Sequence, residues 1–197
     1  MSSHLVELFV LKCAVIETGL RASLSEYDTG ATGALGQTSD EQLDPFIKQF
    51  DLANRKNAAQ MSRYYEIFYL LENDIRRLIV ETMEAADGQN WWDSHVPPGV
   101  LEEVRKNRER EAQAAVSVRS EDDIDYTTFG QLGDIIRANW SDFAGMLSNQ
   151  SAVSRVMSAL NMLRGTIAHC GLLAEDEVDR LKLAIRDWFR VLEGPKS

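Results

Sequence analysis

The middle of this sequence carries one long apolar stripe at helical spacing. Its members recur every three or four residues, which places their side chains on a single face of an α-helix. They are Met61, Tyr64, Tyr65, Phe68, Leu71, Ile75, Leu78, Ile79 and Met83. A helix with one apolar face must bury that face against other elements, so the stripe predicts the central core helix of a folded domain.

Three later segments repeat this helical spacing. Apolar residues recur from Leu132 to Leu147, from Val153 to Ile167 and from Val178 to Phe189. No stretch alternates with the period of two that marks a half-buried strand, and no internal repeat is present. The pattern predicts an all-α fold, a helical bundle of about five to seven helices. In the last of these helices the predicted core positions are Val178, Leu181, Leu183, Ile185, Trp188 and Phe189.

The helical pattern is interrupted near the N-terminus. Residues 29 to 42 are rich in Gly, Thr and Ser and have no apolar periodicity, which predicts a loop after a first helix. Asp44 and Pro45 suit the N-cap and the first turn of a second helix. We therefore predict two parts, an acidic N-terminal helix with a Gly-rich loop at residues 1–44 and a helical domain at residues 45–197.

The charge balance of the chain is acidic. Its formal net charge is −10, with 31 acidic and 21 basic side chains. An acidic surface repels a polyanion, so broad electrostatic attachment to nucleic acid is disfavoured and any RNA contact must be local. Residues 1–44 hold seven acidic and two basic side chains, which is half of the imbalance. The rest of the chain is mildly acidic and leaves room for a basic patch.

Several kinds of site are disfavoured by the residues that the chain lacks. Its two cysteines, Cys13 and Cys170, are too few for a disulfide scaffold or a cysteine zinc site and are typical of a reducing compartment. For Cys170 a small buried side chain is favoured over a catalytic thiol. His4 and His95 lack metal-ligand spacing, so no metal and no cofactor is predicted. Charged residues within the apolar segments predict a cytoplasmic protein without a membrane span.

One pair of residues suggests catalysis. It consists of Arg164 and His169 in the segment NMLRGTIAHCG. A histidine at a helix C-terminus can move a proton near neutral pH, and a nearby arginine offers forked donors to a phosphate. The pair would support metal-free phosphodiester cleavage, with His169 moving the ribose 2′-hydroxyl proton and Arg164 stabilising charge on the phosphoryl oxygens. On a regular helix five steps of ~100° set them ~140° apart, so they share a face only if the last turn unwinds near Gly171. The plain alternative is that both residues cap carbonyls or make surface contacts.

The segment LRGTIAH, taken with ENDIRRLI at residues 72 to 79, resembles the HEPN superfamily in order and spacing. That superfamily is marked by an Arg, four to six residues and then a His, at the end of a late helix in a bundle of about four or five helices. The tryptophans at 91 and 92, FGQLGDII and LKLAIRDWF are most similar to the branch found with nucleases of RNA surveillance and prokaryotic defence. The resemblance covers about residues 60 to 190.

This resemblance implies a homodimer in which Arg164 and His169 of both subunits face one cleft. It implies a metal-independent endoribonuclease of a toxin or antiphage-defence type, with RNA as substrate and an antitoxin or defence-system protein as a further partner. Glu72 and Arg76 match polar positions of the family's helix, and they either reach the cleft or pair with each other. Asn161, three residues before Arg164 and so on a neighbouring face, either supplies a further hydrogen bond to the cleft or is solvated, and the solvated side chain is favoured.

Gly165 departs from the commoner family pattern, because the residue after the arginine is often Asn, Asp or His. A glycine supplies no side chain to orient His169, and it lowers helix propensity by roughly 1 kcal/mol relative to Ala. The alternative function is therefore a non-catalytic HEPN module whose cleft mediates nucleotide binding or protein–protein interaction.

Overall fold

The structure is a computed structural model that describes residues 43 to 114 and 116 to 194. It divides into two compact units, Met1–Lys56 and Asn57–Ser197. The predicted N-terminal helix and the Gly-rich loop lie outside the described residues. The predicted division after residue 44 stays a prediction.

Helix α1 spans Leu52–Asp87 and carries the central apolar stripe. It begins there rather than at Pro45, because Asp51 caps its first turn. One Asp51 carboxylate oxygen accepts the backbone N–H of Ala53 at 2.8 Å and that of Asn54 at 3.3 Å. The predicted start at Pro45 falls instead in a separate short helix at residues 43 to 47.

Six further helices follow in the described part of the chain, which contains no strand. They are α2 Trp91–His95, α3 Pro98–Ala112, α4 Phe129–Ala138, α5 Trp140–Phe143, α6 Gln150–Ala168 and α7 Glu175–Val191. The prediction of an all-α helical bundle is confirmed. None of the described helices is long and apolar enough to cross a membrane.

The apolar faces of α1, α4, α6 and α7 form one core. Helix α6 packs against both α4 and α7. Phe68 of α1 meets Phe129 of α4 edge to face, with ring centroids 6.0 Å apart. The buried members of the α1 stripe are Phe68, Leu71, Ile75, Ile79 and Met83. Burial of this face fixes α1 and leaves the neighbouring face, which carries Glu72 and Arg76, free to line a site.

Two predicted core positions of α7 are wrong. Leu183 is 52% exposed and Phe189 is 57% exposed. The buried residues are instead Leu181, Ala184, Trp188 and Val191. These follow steps of three and four residues, whereas Leu183 lies two steps of ~100° from Leu181 and so points to the other side of the helix.

The predicted single helix from Leu132 to Leu147 is broken at Asn139. The buried side-chain amide of Asn139 donates to the carbonyl of Ile135 at 2.9 Å and to that of His95 at 3.0 Å. A side chain that bonds its own helix backbone competes with the regular ladder. Helix α4 therefore ends one residue before Asn139, and α5 starts one residue after it.

Candidate functional site

An open cleft of about 550 Å³ lies between α1, α6 and the segment that joins α3 to α4. The α1 side of the cleft follows helical spacing at Tyr65, Tyr69, Glu72 and Arg76, which places these four residues on one face. This face lies beside the buried face of α1. The other residues that line the cleft are Phe68 and Asn73 from α1, Arg119 and Asp125 from the joining segment, and Arg164, Ile167 and Ala168 from α6.

Glu72 and Arg76 both line the cleft and pair with each other. Their side chains are 12% and 15% exposed, and the Arg76 guanidinium donates to Glu72 at 2.5 Å. The same guanidinium nitrogen donates to the carbonyl of Thr127 at 3.2 Å, and Asp125 lies 3.9 Å from Nε. Both residues thus line this cleft and also pair with each other. Arg76 is held by its hydrogen bonds to Glu72 and to the carbonyl of Thr127.

Arg164 approaches the same carboxylate from α6. Its Nη2 lies 3.6 Å from Oε2 of Glu72, and its side chain is 37% exposed. At this separation the contact is electrostatic rather than a hydrogen bond. The guanidinium has five N–H donors, so it can bind an incoming anion without giving up the ion pair.

Arg119 is brought to the cleft by an anchored loop. Its Nε donates to Glu111 at 2.9 Å, and its backbone N–H donates to the other carboxylate oxygen at 3.0 Å. The guanidinium carbons of Arg119 and Arg108 lie 4.8 Å and 5.2 Å from the centre of the Tyr126 ring. A hydrogen bond to Asp123 raises the pKa of Arg108. These contacts of Arg108 and Arg119 hold the loop next to the cleft.

His169 lies at the C-cap of α6, one residue past the cleft-lining Ala168. Its side chain is exposed and is not among the residues that line the cleft. Its backbone N–H donates to the carbonyl of Gly165 at 3.1 Å. The last turn of α6 therefore stays helical, and the expected unwinding that would bring Arg164 and His169 onto one face does not occur.

The turn after α6 is closed by Cys170 in a left-handed conformation, with φ 58°. The backbone N–H of Gly171 donates to Thr166 at 2.8 Å, and that of Cys170 donates to Ile167 at 3.1 Å. These two bonds are those of a Schellman motif. Cys170 is exposed, so the expectation of a buried thiol is wrong.

Asn161 lies away from the cleft. It is exposed and lines a separate pocket of about 250 Å³ with residues of α4, including Gly130 and Asp134. The structure thus brings Glu72, Arg76 and Arg164 together, whereas neither His169 nor Asn161 lines the cleft. In the described ranges no three His, Cys, Asp or Glu side chains are grouped so that they could hold a metal ion.

The sequence reasoning missed most residues of the cleft, among them Tyr65, Tyr69, Asn73, Arg119 and Asp125. Tyr65 was assigned to the core, although it is 64% exposed. The spacing of four between the two tyrosines, in line with Glu72, was a usable signal for a shared face. No local pattern marks the residues of the loop, since their position depends on the fold.

A family model described as Swt1-like HEPN matches residues 66–193, more than half of the 197-residue chain. Searches of curated proteins and of solved structures gave no significant match. The matched range contains every core residue that the structure describes as buried and apolar, from Phe68 to Val191. It also contains the charged residues that meet in the cleft. The chain therefore belongs to the Swt1-like HEPN family, and its general class is that of a nuclease-type or RNA-related module.

Proposed function

We propose that this protein is a metal-independent endoribonuclease that acts as a homodimer with a composite cleft. The observation that carries the proposal is the position of Arg164. Its guanidinium lines the cleft, is held by one ion pair to Glu72 and keeps donors for a phosphate. His169 follows five residues later at the C-cap of α6, where its side chain is exposed.

The proposed reaction is a transfer within the RNA strand. The ribose 2′-oxygen attacks phosphorus, the bond to the 5′-oxygen breaks, and a cyclic phosphate and a 5′-hydroxyl end are formed. His169 of one subunit takes the 2′-hydroxyl proton, and His169 of the second copy gives a proton to the leaving oxygen. Arg164 stabilises the charge that develops on the phosphoryl oxygens.

The proposed dimer is supported by one face of α6. Met162 and His169 are seven residues apart, so on a helix of ~100° per residue they lie within about 20° of one another. Met162 is 76% exposed, more than any other large apolar side chain of the described residues. In the proposed dimer a second copy would cover this face, which would place His169 at the subunit interface.

The cellular role is proposed from the resemblance alone. A toxin or antiphage-defence ribonuclease would act in the cytoplasm on RNA and would be controlled by an antitoxin or defence-system partner. The arrangement of the described residues adds support only for the chemistry of the cleft.

The test is cleavage of total RNA and tRNA in the presence of EDTA. We expect the wild-type protein to cut, His169→Ala to lose about 100-fold or more in rate, and Arg164→Ala to lose about 100-fold. The matched controls are His95→Ala and Arg180→Ala. His95 pairs with Asp87 at 3.2 Å and Arg180 with Asp176 at 3.0 Å, both outside the cleft.

Cleavage that survives in His169→Ala would contradict the assignment of this residue. Cleavage lost in EDTA and restored by added Mg²⁺ would contradict the metal-independent mechanism. A correctly folded wild-type dimer that cuts neither RNA would replace the nuclease proposal with a non-catalytic binding module.

A further inference from the structure

We propose that Tyr65 and Tyr69 form a stacking platform that binds unpaired nucleobases beside the arginines of the cleft. This inference rests on the proposed function and names the residues that would bind the bases of its substrate. It starts from two exposed rings that the mechanism of phosphodiester cleavage does not use.

The two rings are placed as a platform on the cleft side of α1. They lie one helical turn apart, with ring centroids separated by 6.5 Å and ring planes inclined by 34°. Tyr65 is 64% exposed and Tyr69 is 59% exposed, although both line the cleft. Neither belongs to the core, whereas the adjacent Tyr64 packs against it. Their faces are therefore open to a ligand.

The charges of the same cleft fit a phosphate backbone. Its lining holds three arginines, Arg76, Arg119 and Arg164, against two carboxylates, Glu72 and Asp125. With Glu111, which pairs with Arg119, the charges around the cleft are balanced, whereas the chain as a whole has a net charge of −10. A phosphate backbone therefore meets less repulsion at the arginines of the cleft than at the acidic surface elsewhere.

Aromatic faces beside arginines are the combination that binds single-stranded nucleic acid. Successive bases stack on the rings while cations follow the backbone. In a duplex the bases already stack on one another, and side chains reach only phosphates, sugars and groove edges. Exposed tyrosine faces would gain nothing from a duplex, so their presence selects for an unpaired segment.

The experiment measures binding in the His169→Ala background, so that the readout does not depend on cleavage. A fluorescent RNA of about 10 nucleotides is titrated as a single strand and as a duplex at fixed physiological salt. The double variant Tyr65→Leu with Tyr69→Leu removes the aromatic faces but keeps apolar side chains. Tyr65→Phe with Tyr69→Phe keeps the rings. Leu70→Ala, a change at a residue of α1 that is 57% exposed and outside the cleft lining, is the surface control.

We expect the leucine pair to weaken single-strand binding about tenfold or more, while the phenylalanine pair and Leu70→Ala bind as the parent does. Duplex binding should be weaker in the parent and unchanged by the leucine pair. Equal single-strand affinity of parent and leucine pair would overturn the platform, even if the wild-type protein cuts RNA. A leucine pair that no longer dimerises in light scattering would also overturn it, because the tyrosines would then serve the interface.

The platform and the nuclease proposal fail separately. A wild-type protein that does not cut RNA, yet binds single strands through the tyrosines, retains the platform and loses the nuclease. Active cleavage with no contribution from the rings gives the opposite result.

Discussion

Glu72 is the residue on which the cleft depends, because one carboxylate faces two arginines. It accepts a hydrogen bond from Arg76 and lies 3.6 Å from Arg164. Arg76 is largely buried, so its charge needs a partner of opposite sign close by. Arg164 is more exposed and can turn towards a substrate. Glu72 thereby fixes one arginine and orients the other.

Glu72→Gln should lower the free energy of unfolding by about 2 kcal/mol, because it leaves the buried guanidinium of Arg76 without its nearest negative charge. Urea unfolding at neutral pH measures the change. The control is Asp74→Asn, which removes an ion pair of 2.8 Å to Arg77 at a surface where both side chains are more than half exposed. That change should cost less than about 0.5 kcal/mol. Equal losses of unfolding free energy in the two variants would contradict the conclusion that Glu72 stabilises the buried charge of Arg76.

In the turn after α6 the left-handed position is taken by Cys170 and not by the glycine that follows it. Gly171 is needed for a different reason. A Cβ at this position would lie 2.8 Å from the Thr166 methyl group and 3.1 Å from the Thr166 carbonyl oxygen. Gly171 is therefore needed because a side chain would collide with Thr166, and not because its φ is positive.

At the scale of elements, α1 combines two faces with different tasks. Its buried face holds the core, and the face beside it carries the tyrosines, Glu72 and Arg76 into the cleft. The apolar stripe predicted the first face correctly. It assigned Tyr65 to the wrong face because a tyrosine counts as apolar in a spacing pattern, while its ring can equally serve an open surface.

Helix α6 carries a glycine whose replacement should stabilise it. Gly165 lies inside the helix, and a Cβ there would meet nothing within 4 Å. Gly165→Ala should therefore raise the free energy of unfolding by about 0.5 to 1 kcal/mol. Gly171→Ala is the matched change at a crowded position and should lower it. Denaturant midpoints of both variants test this, and a loss of stability in Gly165→Ala would show that the position needs a glycine for another reason.

At the scale of the whole molecule, the proposed composite cleft would require a second copy of the chain. Met162→Glu should convert the proposed dimer to a monomer, because it places a charge in the proposed interface, on the face of α6 that Met162 shares with His169. The free energy of unfolding of the Met162→Glu subunit should differ from that of the wild type by less than about 0.5 kcal/mol, because the side chain at position 162 is exposed. Light scattering at micromolar concentration gives the oligomeric state. Loss of RNA cleavage together with loss of the dimer is the expected pattern.

The control for this change is Leu70→Glu, which adds the same charge at an exposed apolar residue of α1. It should leave the dimer intact. A wild-type protein that is monomeric at these concentrations, or a Met162→Glu variant that remains dimeric, would contradict the proposed interface.

The sequence by itself determined the helical class, the family and most of the core of α1 and α6. Helical periodicity is a local property, and a short motif such as Arg164 to His169 keeps its spacing wherever the helix lies. Helix ends were less predictable, because each depends on one polar side chain, Asp51 or Asn139, whose two hydrogen bonds cannot be told from the sequence.

Only the tertiary structure decided which residues share the cleft. Arg119 and Asp125 reach it on a loop whose own sequence is polar and lacks any periodic signal. Arg164 meets Glu72 across a gap of more than ninety residues in the chain, at a distance set by the packing of the helices around their core. Helix spacing specifies the face on which a side chain lies. The partner it meets depends on how the buried faces pack, since their burial fixes the relative positions of the helices.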